Sequence, residues 1–344
     1  MPAFAAAVLG GELRILVTGS AGFIGFHLSL KLLAEGHEVV GLDALTPYYD
    51  VAMKQQRHAI LSANRRFRSV IGRLEDAASI AAGFADAPEI VVHLAAQAGV
   101  RYSLDAPFSY TESNVTGTLA LLEAARRSPP RHLLIASSSS VYGMSGKPSS
   151  EGDMTDGPVS LYAATKKATE TMSHAYAHLF GLPTTCLRFF TVYGPWGRPD
   201  MALFKFADAI ATGRPISIYG EGRMRRDFTY VEDVAATVSR LIAAPPVLGQ
   251  PVAGDSLSEV APWRVVNIAG GRPVELMRFV EAIEAAMGRD AIKHLLPMQP
   301  GDVTVTAADV TLLRTLIGEV PETRLEDGVQ AFVDWFKSWR SVDR

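Results

Sequence analysis

The sequence predicts a doubly wound α/β protein, a parallel sheet covered by helices on both faces, joined to a smaller mixed α/β part. Three observations predict it. Short β-branched apolar runs alternate with segments of helical periodicity through the first half of the chain. The runs suit strands buried on both faces. A glycine-rich turn joins the first run to the first helical segment.

The elements follow in order. Arg14–Thr18 (RILVT) reads as the first strand. Residues 23–35 have helical periodicity and stop at Gly36, a residue suited to a helix C-terminus. Further strands are expected at 38–43 (EVVGLD), 90–94 (IVVHL) and 132–136 (HLLIA), with a helix at 114–127 between the last two. Such alternation implies right-handed crossovers and a parallel sheet. A long helix is expected over 160–179. Beyond about residue 191 turn residues become denser, as in 194–199 (GPWGRP), and short helices such as 274–287 are separated by loops.

Composition narrows the function classes. At roughly 150 residues per domain, 344 residues allow two domains. Apolar residues at 48% and charged residues at 20% describe a globular chain rather than a disordered one. Lys plus Arg number 33 against 36 Asp plus Glu, so the basic excess of a duplex-binding protein is missing and no nucleic-acid partner is expected. The single cysteine, Cys186, excludes a disulfide framework and a cysteine-rich metal site. No H-E-x-x-H spacing occurs, and no metal is expected. No uncharged apolar run reaches the length of about 18 residues needed for a membrane span. The N-terminal MPAFAAAVLGGEL lacks a basic leader region and reads as a frayed extension. A soluble cytoplasmic protein is the expectation.

The turn Gly19-Ser20-Ala21-Gly22-Phe23-Ile24-Gly25 lies between strand and helix. Glycines spaced three apart let the backbone turn tightly and approach a pyrophosphate, and the helix N-terminus offers free N–H groups and a positive dipole end. Asp43 closes the second strand, where a carboxylate accepts the ribose hydroxyls of the adenosine half. It would repel a 2′-phosphate, so NAD is favoured over NADP; Arg57 and Arg73 are the candidate 2′-phosphate partners. The chain divides accordingly into an extension (1–13), a Rossmann-like dinucleotide-binding domain (14–190, with later segments returning to it) and a mainly substrate-binding part (191–344).

Tyr162 and Lys166 stand at i and i+4 in SLYAATKKATE, the one Tyr-x-x-x-Lys among ten tyrosines. On a helix they share a face, about 6 Å apart. A tyrosine of pKa ~10 is a poor base at neutral pH, and a neighbouring ammonium is expected to lower that value. Ser138 ends the preceding strand, at the sheet edge where ligands bind. Ser137, Ser139 and Ser140 compete for its role.

Glycine loop, Asp43, strand-end serine and Tyr-x-x-x-Lys together resemble the extended short-chain dehydrogenase/reductase superfamily over residues 14–340. Five blocks are similar to the UDP-glucuronate 4-epimerases: 93–103 (HLAAQAGVRYS), 136–143 (ASSSSVYG), 187–202 (LRFFTVYGPWGRPDMA), 226–234 (RDFTYVEDV) and 297–303 (PMQPGDV). The resemblance implies an NAD-dependent isomerase that epimerises UDP-glucuronate at C4 through a 4-keto sugar, with Tyr162 as base and Lys166 and Ser138 beside it. It adds Leu74, Leu94, Ala95 and Ala96 to the cofactor contacts. It implies Thr191 and Arg198 as holders of the sugar carboxylate, and Ser138, Ser139 and Ser140 around the sugar. It implies Tyr219 stacked on uracil, Arg226 on the diphosphate, and Gln299 and Asp302 on diphosphate and ribose. Fixing the carboxylate would also keep the 4-keto uronate, a β-keto acid, from losing CO₂. It further implies a homodimer built on the 114–127 and 160–179 helices. Three positions depart from the family: Arg73 where Asp is common, Ala44 where Asn is usual, and Thr306 at a gate that can be a bulky tyrosine. The small gate leaves an N-acetylated uronate open as substrate. UDP-galactose or UDP-N-acetylhexosamine epimerisation is the second reading. A UDP-glucuronate decarboxylase comes third, because Ser139 and Ser140 stand where such enzymes carry an acid. A non-catalytic NAD sensor is the alternative outside enzymes, and such modules tend to lose Tyr or Lys.

Overall fold

The computed structural model describes residues 11–144, 147–298 and 304–342. The first ten residues of the expected extension, and Gln299 and Asp302, lie outside them. Leu13 already belongs to the core, at 5% exposure.

Seven parallel strands form the main sheet: β1 (Arg14–Thr18), β2 (Glu38–Asp43), β3 (Phe67–Ile71), β4 (Ile90–His93), β5 (His132–Ser138), β6 (Thr184–Phe189) and, after a long excursion, Trp263–Ile268. Three shorter strands precede that last one, β7 (Thr191–Tyr193), β8 (Ile216–Tyr219) and β9 (Arg225–Tyr230), so it is β10. The order across the sheet is β10-β6-β5-β4-β1-β2-β3. The chain runs outward from β1 to β3 and then returns to build the other half from β4. Order therefore reverses between β1 and β4, and a crevice opens at their carboxyl ends.

Burial explains the strands that were legible but not every one that was missed, since β6 is buried throughout and was not expected. Every residue of β4 and β5 is buried, as are four of the five in β1, because helices cover both faces. Edge strand β3 alternates, with Ser69 and Ile71 exposed, and offers no apolar run. Strand β5 extends two residues past Ala136 and ends on Ser138. The first helix spans Phe23–Ala34, with Glu35 as its C-cap. The helix expected over 114–127 is split: Thr111–Thr116 is a π-helical turn, and Gly117–Arg127 continues as α-helix. The long helix is Leu161–Phe180, capped by the Ser160 side chain and ended by Gly181 at φ 65°.

The smaller part centres on β9. β7 and β13 (Val305–Thr306) pair with it in parallel and β11 (Pro273–Glu275) antiparallel, while β12 (Lys293–Leu296) pairs with β8. Its aromatic core brings Phe228 flat onto Phe279 at 4.1 Å and gathers Phe204, Phe332 and Phe336. The two parts share core: Val231, Val234 and Val238 of the Val231–Leu241 helix pack with Phe23 and Phe26 of the first helix. Among the described residues no helix is long and apolar enough to cross a membrane.

Candidate active site

A cavity of about 280 Å³ opens at the crevice between β1 and β4. Its floor is the glycine turn. Gly19 has φ +72°, and a Cβ there would lie 2.7 Å from the Ala95 amide nitrogen. A Cβ on Gly25 would collide with the Gly19 carbonyl, and one on Gly22 would come within 2.9 Å of the same oxygen. All three positions thus exclude side chains, Gly22 and Gly25 because of the turn itself and Gly19 because the backbone after β4 presses on it. The first helix starts here without a side-chain cap or an acidic residue in its first turn, so its positive end faces the cavity with Gly22, Phe23 and Ile24. This is a cradle of the size and charge that a pyrophosphate needs.

Asp43 ends β2 on the cavity wall. Its carboxylate accepts from the amides of Ala21 (3.0 Å) and Leu45 (2.8 Å), which aims it across the mouth of the cradle. Leu74, Leu94, Ala95 and Ala96 line the same cavity, as does Ser113 from the π-helical turn, which sequence reasoning missed. Arg57 is no 2′-phosphate partner. It is fully buried and donates to the carbonyls of Ala21 (2.9 Å) and Trp196 (2.5 Å), pinning the glycine turn to the later loop. Arg73 is engaged with Glu75 at the rim.

Ser138, Tyr162 and Lys166 all line the cavity. Ser138 lies beside the Tyr162 phenol; its Oγ donates to Ser140 Oγ and receives the Ser140 amide, both at 3.2 Å. Neither Ser139 nor Ser140 reaches the cavity lining. Ser137 is committed elsewhere, donating to Glu170 at 2.6 Å. Lys166 Nζ donates to the Ala136 carbonyl at 2.8 Å. Burial brings its ammonium down to about 8, with Cys186 and Glu170 pulling the other way. The expected effect of Lys166 on Tyr162 takes a different form. Desolvation raises the phenol above its ordinary value, and what opposes it is the Ser138 hydroxyl and the charge of Arg198.

A buried hydrogen-bond chain sets these parts in register. Thr18 Oγ1 receives the Ala95 amide (3.1 Å) and contacts His93 Nδ1 (2.7 Å). His93 Nε2 contacts Thr118 Oγ1 (3.1 Å), which donates to the Asn114 carbonyl (2.6 Å). Since the Thr118 proton is spent on that carbonyl, His93 Nε2 must carry a proton and Nδ1 accepts from Thr18. Burial takes His93 down to about 3, aided by Lys166 nearby, so the ring is neutral. The Asn114 amide then ties the Gln97 carbonyl (3.0 Å) to Thr165 Oγ1 (3.0 Å) on the tyrosine helix. No local spacing announces this chain, since its members lie on β1, β4 and three later segments.

At the sugar end the grouping differs from expectation. Arg198 lines the cavity, but Nε and Nη2 both grip Asp200, at 2.9 and 2.5 Å. Thr191 lines a small apolar annex shared with Arg198. Tyr219 and Arg226 are not among the residues lining the cavity. The Arg101 guanidinium lies over the Tyr219 ring at 5.4 Å, and Arg226 donates to the carbonyls of Arg225 and Thr304. Thr306 pairs with Arg226 in the β13–β9 ladder. His174 and His178, one turn apart, have a metal-ligand spacing overlooked in the sequence, but they contact Ser258 Oγ (2.9 Å) and the Val260 carbonyl (2.7 Å). Among the described residues no three His, Cys, Asp or Glu gather to hold a metal.

A parallel sheet with a glycine cradle at its switch point, and a serine, tyrosine and lysine facing it, defines a dinucleotide-dependent enzyme that moves hydrogen to and from a hydroxyl-bearing carbon. Residues 15–252 match the NAD dependent epimerase/dehydratase family, and the chain belongs to it. It is 55% identical over 331 residues to the probable UDP-glucuronate 4-epimerase of Rhizobium meliloti, covering 94% of this chain and 97% of that one. It is 44% identical over 337 residues to UDP-glucuronate 4-epimerase 1 of Arabidopsis thaliana, covering 96% and 78%. The crystal structure of UDP-glucuronic acid 4-epimerase from Bacillus cereus, in complex with UDP-glucuronic acid and NAD, is similar with a TM-score of 0.84 at 32% identity, covering 95% of this chain and 100% of that one.

Proposed function

We propose that this chain is an NAD-dependent UDP-glucuronate 4-epimerase, interconverting UDP-glucuronate and UDP-galacturonate. The observation that carries the reading is one cavity shared by the glycine cradle, Asp43 and the Ser138–Tyr162–Lys166 group. Kinship to enzymes of that name on both sequence and structure supports it. The cradle and Asp43 fit a dinucleotide: side chains are excluded where the pyrophosphate would approach, and a 2′-phosphate would meet a carboxylate. NAD⁺, when bound, accepts a hydride from the sugar and gives it back.

The chain's own groups handle the proton. Tyr162 Oη takes the 4-hydroxyl proton as the sugar is oxidised and returns it when the 4-keto sugar has turned its other face. Ser138 Oγ, beside that phenol, orients the 4-oxygen towards it. Lys166, held on the Ala136 carbonyl, presents its ammonium to the same cavity. Thr191 and Arg198 hold the hexuronate carboxylate, and Tyr219 and Arg226 serve the uridine diphosphate. We assign the main sheet to the cofactor and the smaller part, around β9, to the nucleotide sugar. The working form is a homodimer. Leu119 on the Gly117–Arg127 helix and Leu179 and Phe180 at the end of the tyrosine helix are exposed apolar residues that support such an interface.

The test is incubation with UDP-glucuronate and no added NAD, followed by separation of the sugar nucleotides. UDP-galacturonate as sole product is the expected result. UDP-xylose with release of CO₂, or no conversion with NAD supplied, would overturn the reading.

A further inference from the structure

Arg198 stands on the wall of the cavity, yet one edge of its guanidinium is filled by a carboxylate from this same chain. Asp200 takes it in a bidentate pair, Oδ1 on Nε and Oδ2 on Nη2, the geometry by which an arginine recognises any carboxylate. Tyr48 completes the arrangement. Its hydroxyl donates to Asp200 Oδ2 at 3.0 Å, and its ring lies 5.5 Å from the Arg198 guanidinium. Tyr48 follows β2 and lines the cavity with Asp43, so the trio bridges the cofactor side to the sugar side. The pair is accessible to exchange: the Arg198 side chain is 18% exposed and that of Asp200 32%.

We propose that Asp200 is a specificity-determining residue: an internal carboxylate that occupies Arg198 and is exchanged for the carboxylate of the incoming uronate. The inference rests on the reading of Arg198 as the uronate contact. A hexuronate brings a group of the same charge and fork geometry as the Asp200 side chain, so the two compete for one edge. A neutral hexose has nothing to exchange and leaves the pair closed. When product departs, Asp200 takes the arginine back, with Tyr48 holding it close throughout. Asp200 therefore weakens uronate binding and speeds uronate release, without acting on neutral sugars to the same degree.

Binding is measured on the NAD-loaded protein in a Tyr162→Phe background, which removes turnover, with and without Asp200→Asn. Titrations use UDP-glucuronate, UDP-galacturonate and UDP-glucose. Loss of one charge-assisted competitor is expected to tighten both uronates about tenfold, with slower dissociation, and to change UDP-glucose by less than about twofold. Equal tightening of all three sugars, no change, or weaker uronate binding would overturn the proposal. If Asp200→Asn fails to fold, Tyr48→Phe carries the same test. Removing the hydroxyl that steadies Asp200 should tighten the uronates about threefold, and unchanged uronate affinity would overturn it. The unsubstituted protein separates the two claims: failure to turn over UDP-glucuronate counts against the functional reading, whereas normal turnover with an unaltered binding ratio counts against Asp200 alone.

Discussion

Replacing Glu170 by Gln should cost the fold more than any exposed change and also disturb Lys166. Glu170 lies on the tyrosine helix one turn after Lys166, and its side chain is 2% exposed. It accepts Nε and Nη2 of Arg188 at 2.8 and 2.9 Å and the Ser137 hydroxyl at 2.6 Å. Arg188 is itself 4% exposed. Its remaining support is the face of Tyr142 at 4.8 Å and a 3.3 Å contact to the Glu151 carbonyl. The amide removes the carboxylate paired with this buried guanidinium, a loss of about 3–5 kcal/mol. For a chain of this size the thermal midpoint should fall by roughly 4–7 °C. Glu170 also pulls the Lys166 value upward, so its neutralisation lowers that value further and narrows the pH range over which the ammonium persists. Calorimetry reads the first effect and the pH dependence of kcat the second. A loss below about 1 kcal/mol would refute the reasoning, because the Tyr142 face and one carbonyl would then suffice to hold the charge.

Gly25→Ala should abolish NAD retention, since its Cβ collides with the Gly19 carbonyl and forces the cradle open; the cofactor absorbance of the purified protein checks this. Tyr162→Phe should lower kcat by about 10²–10⁴-fold while leaving the melting temperature nearly unchanged, and a smaller loss would point to another base. Stability should decline in mild acid. Burial holds His27 and His132 down to about 4 and His93 to about 3, so below pH 6.5 the unfolded chain takes up protons that the folded chain refuses. Each ring then removes up to about 1.4 kcal/mol per pH unit until its folded value is reached. Urea midpoints at pH 7, 5.5 and 4.5 measure the slope, and a flat profile would mean that these rings protonate in place.

Local rules made much of the site readable. The glycine turn announces itself because excluded side chains leave a sequence trace, and strand ends place Asp43 and Ser138 at the crevice because a parallel strand has only one ligand-facing end. Tyr162 and Lys166 share a face by helical geometry alone. Edge strand β3 escaped because half of it is wet, and β10 because its apolar run sits far along the chain among loops. The Arg198–Asp200 pair is separated by a single residue, but neighbours in sequence pair only where the loop conformation turns both side chains to one side, which residue types alone do not specify.

By itself the sequence determined the class of fold, the glycine turn and the placing of Tyr162 and Lys166 on one helix face, because each follows from contacts within a few residues or from the period of an element. Only tertiary structure decided which serine faces the phenol, where Arg57 spends its hydrogen bonds, and that Arg198 meets a carboxylate of its own chain. Those outcomes depend on which distant segments the sheet order brings to one edge, and on how much water remains there to screen a charge. Neither quantity is a property of any short stretch of chain.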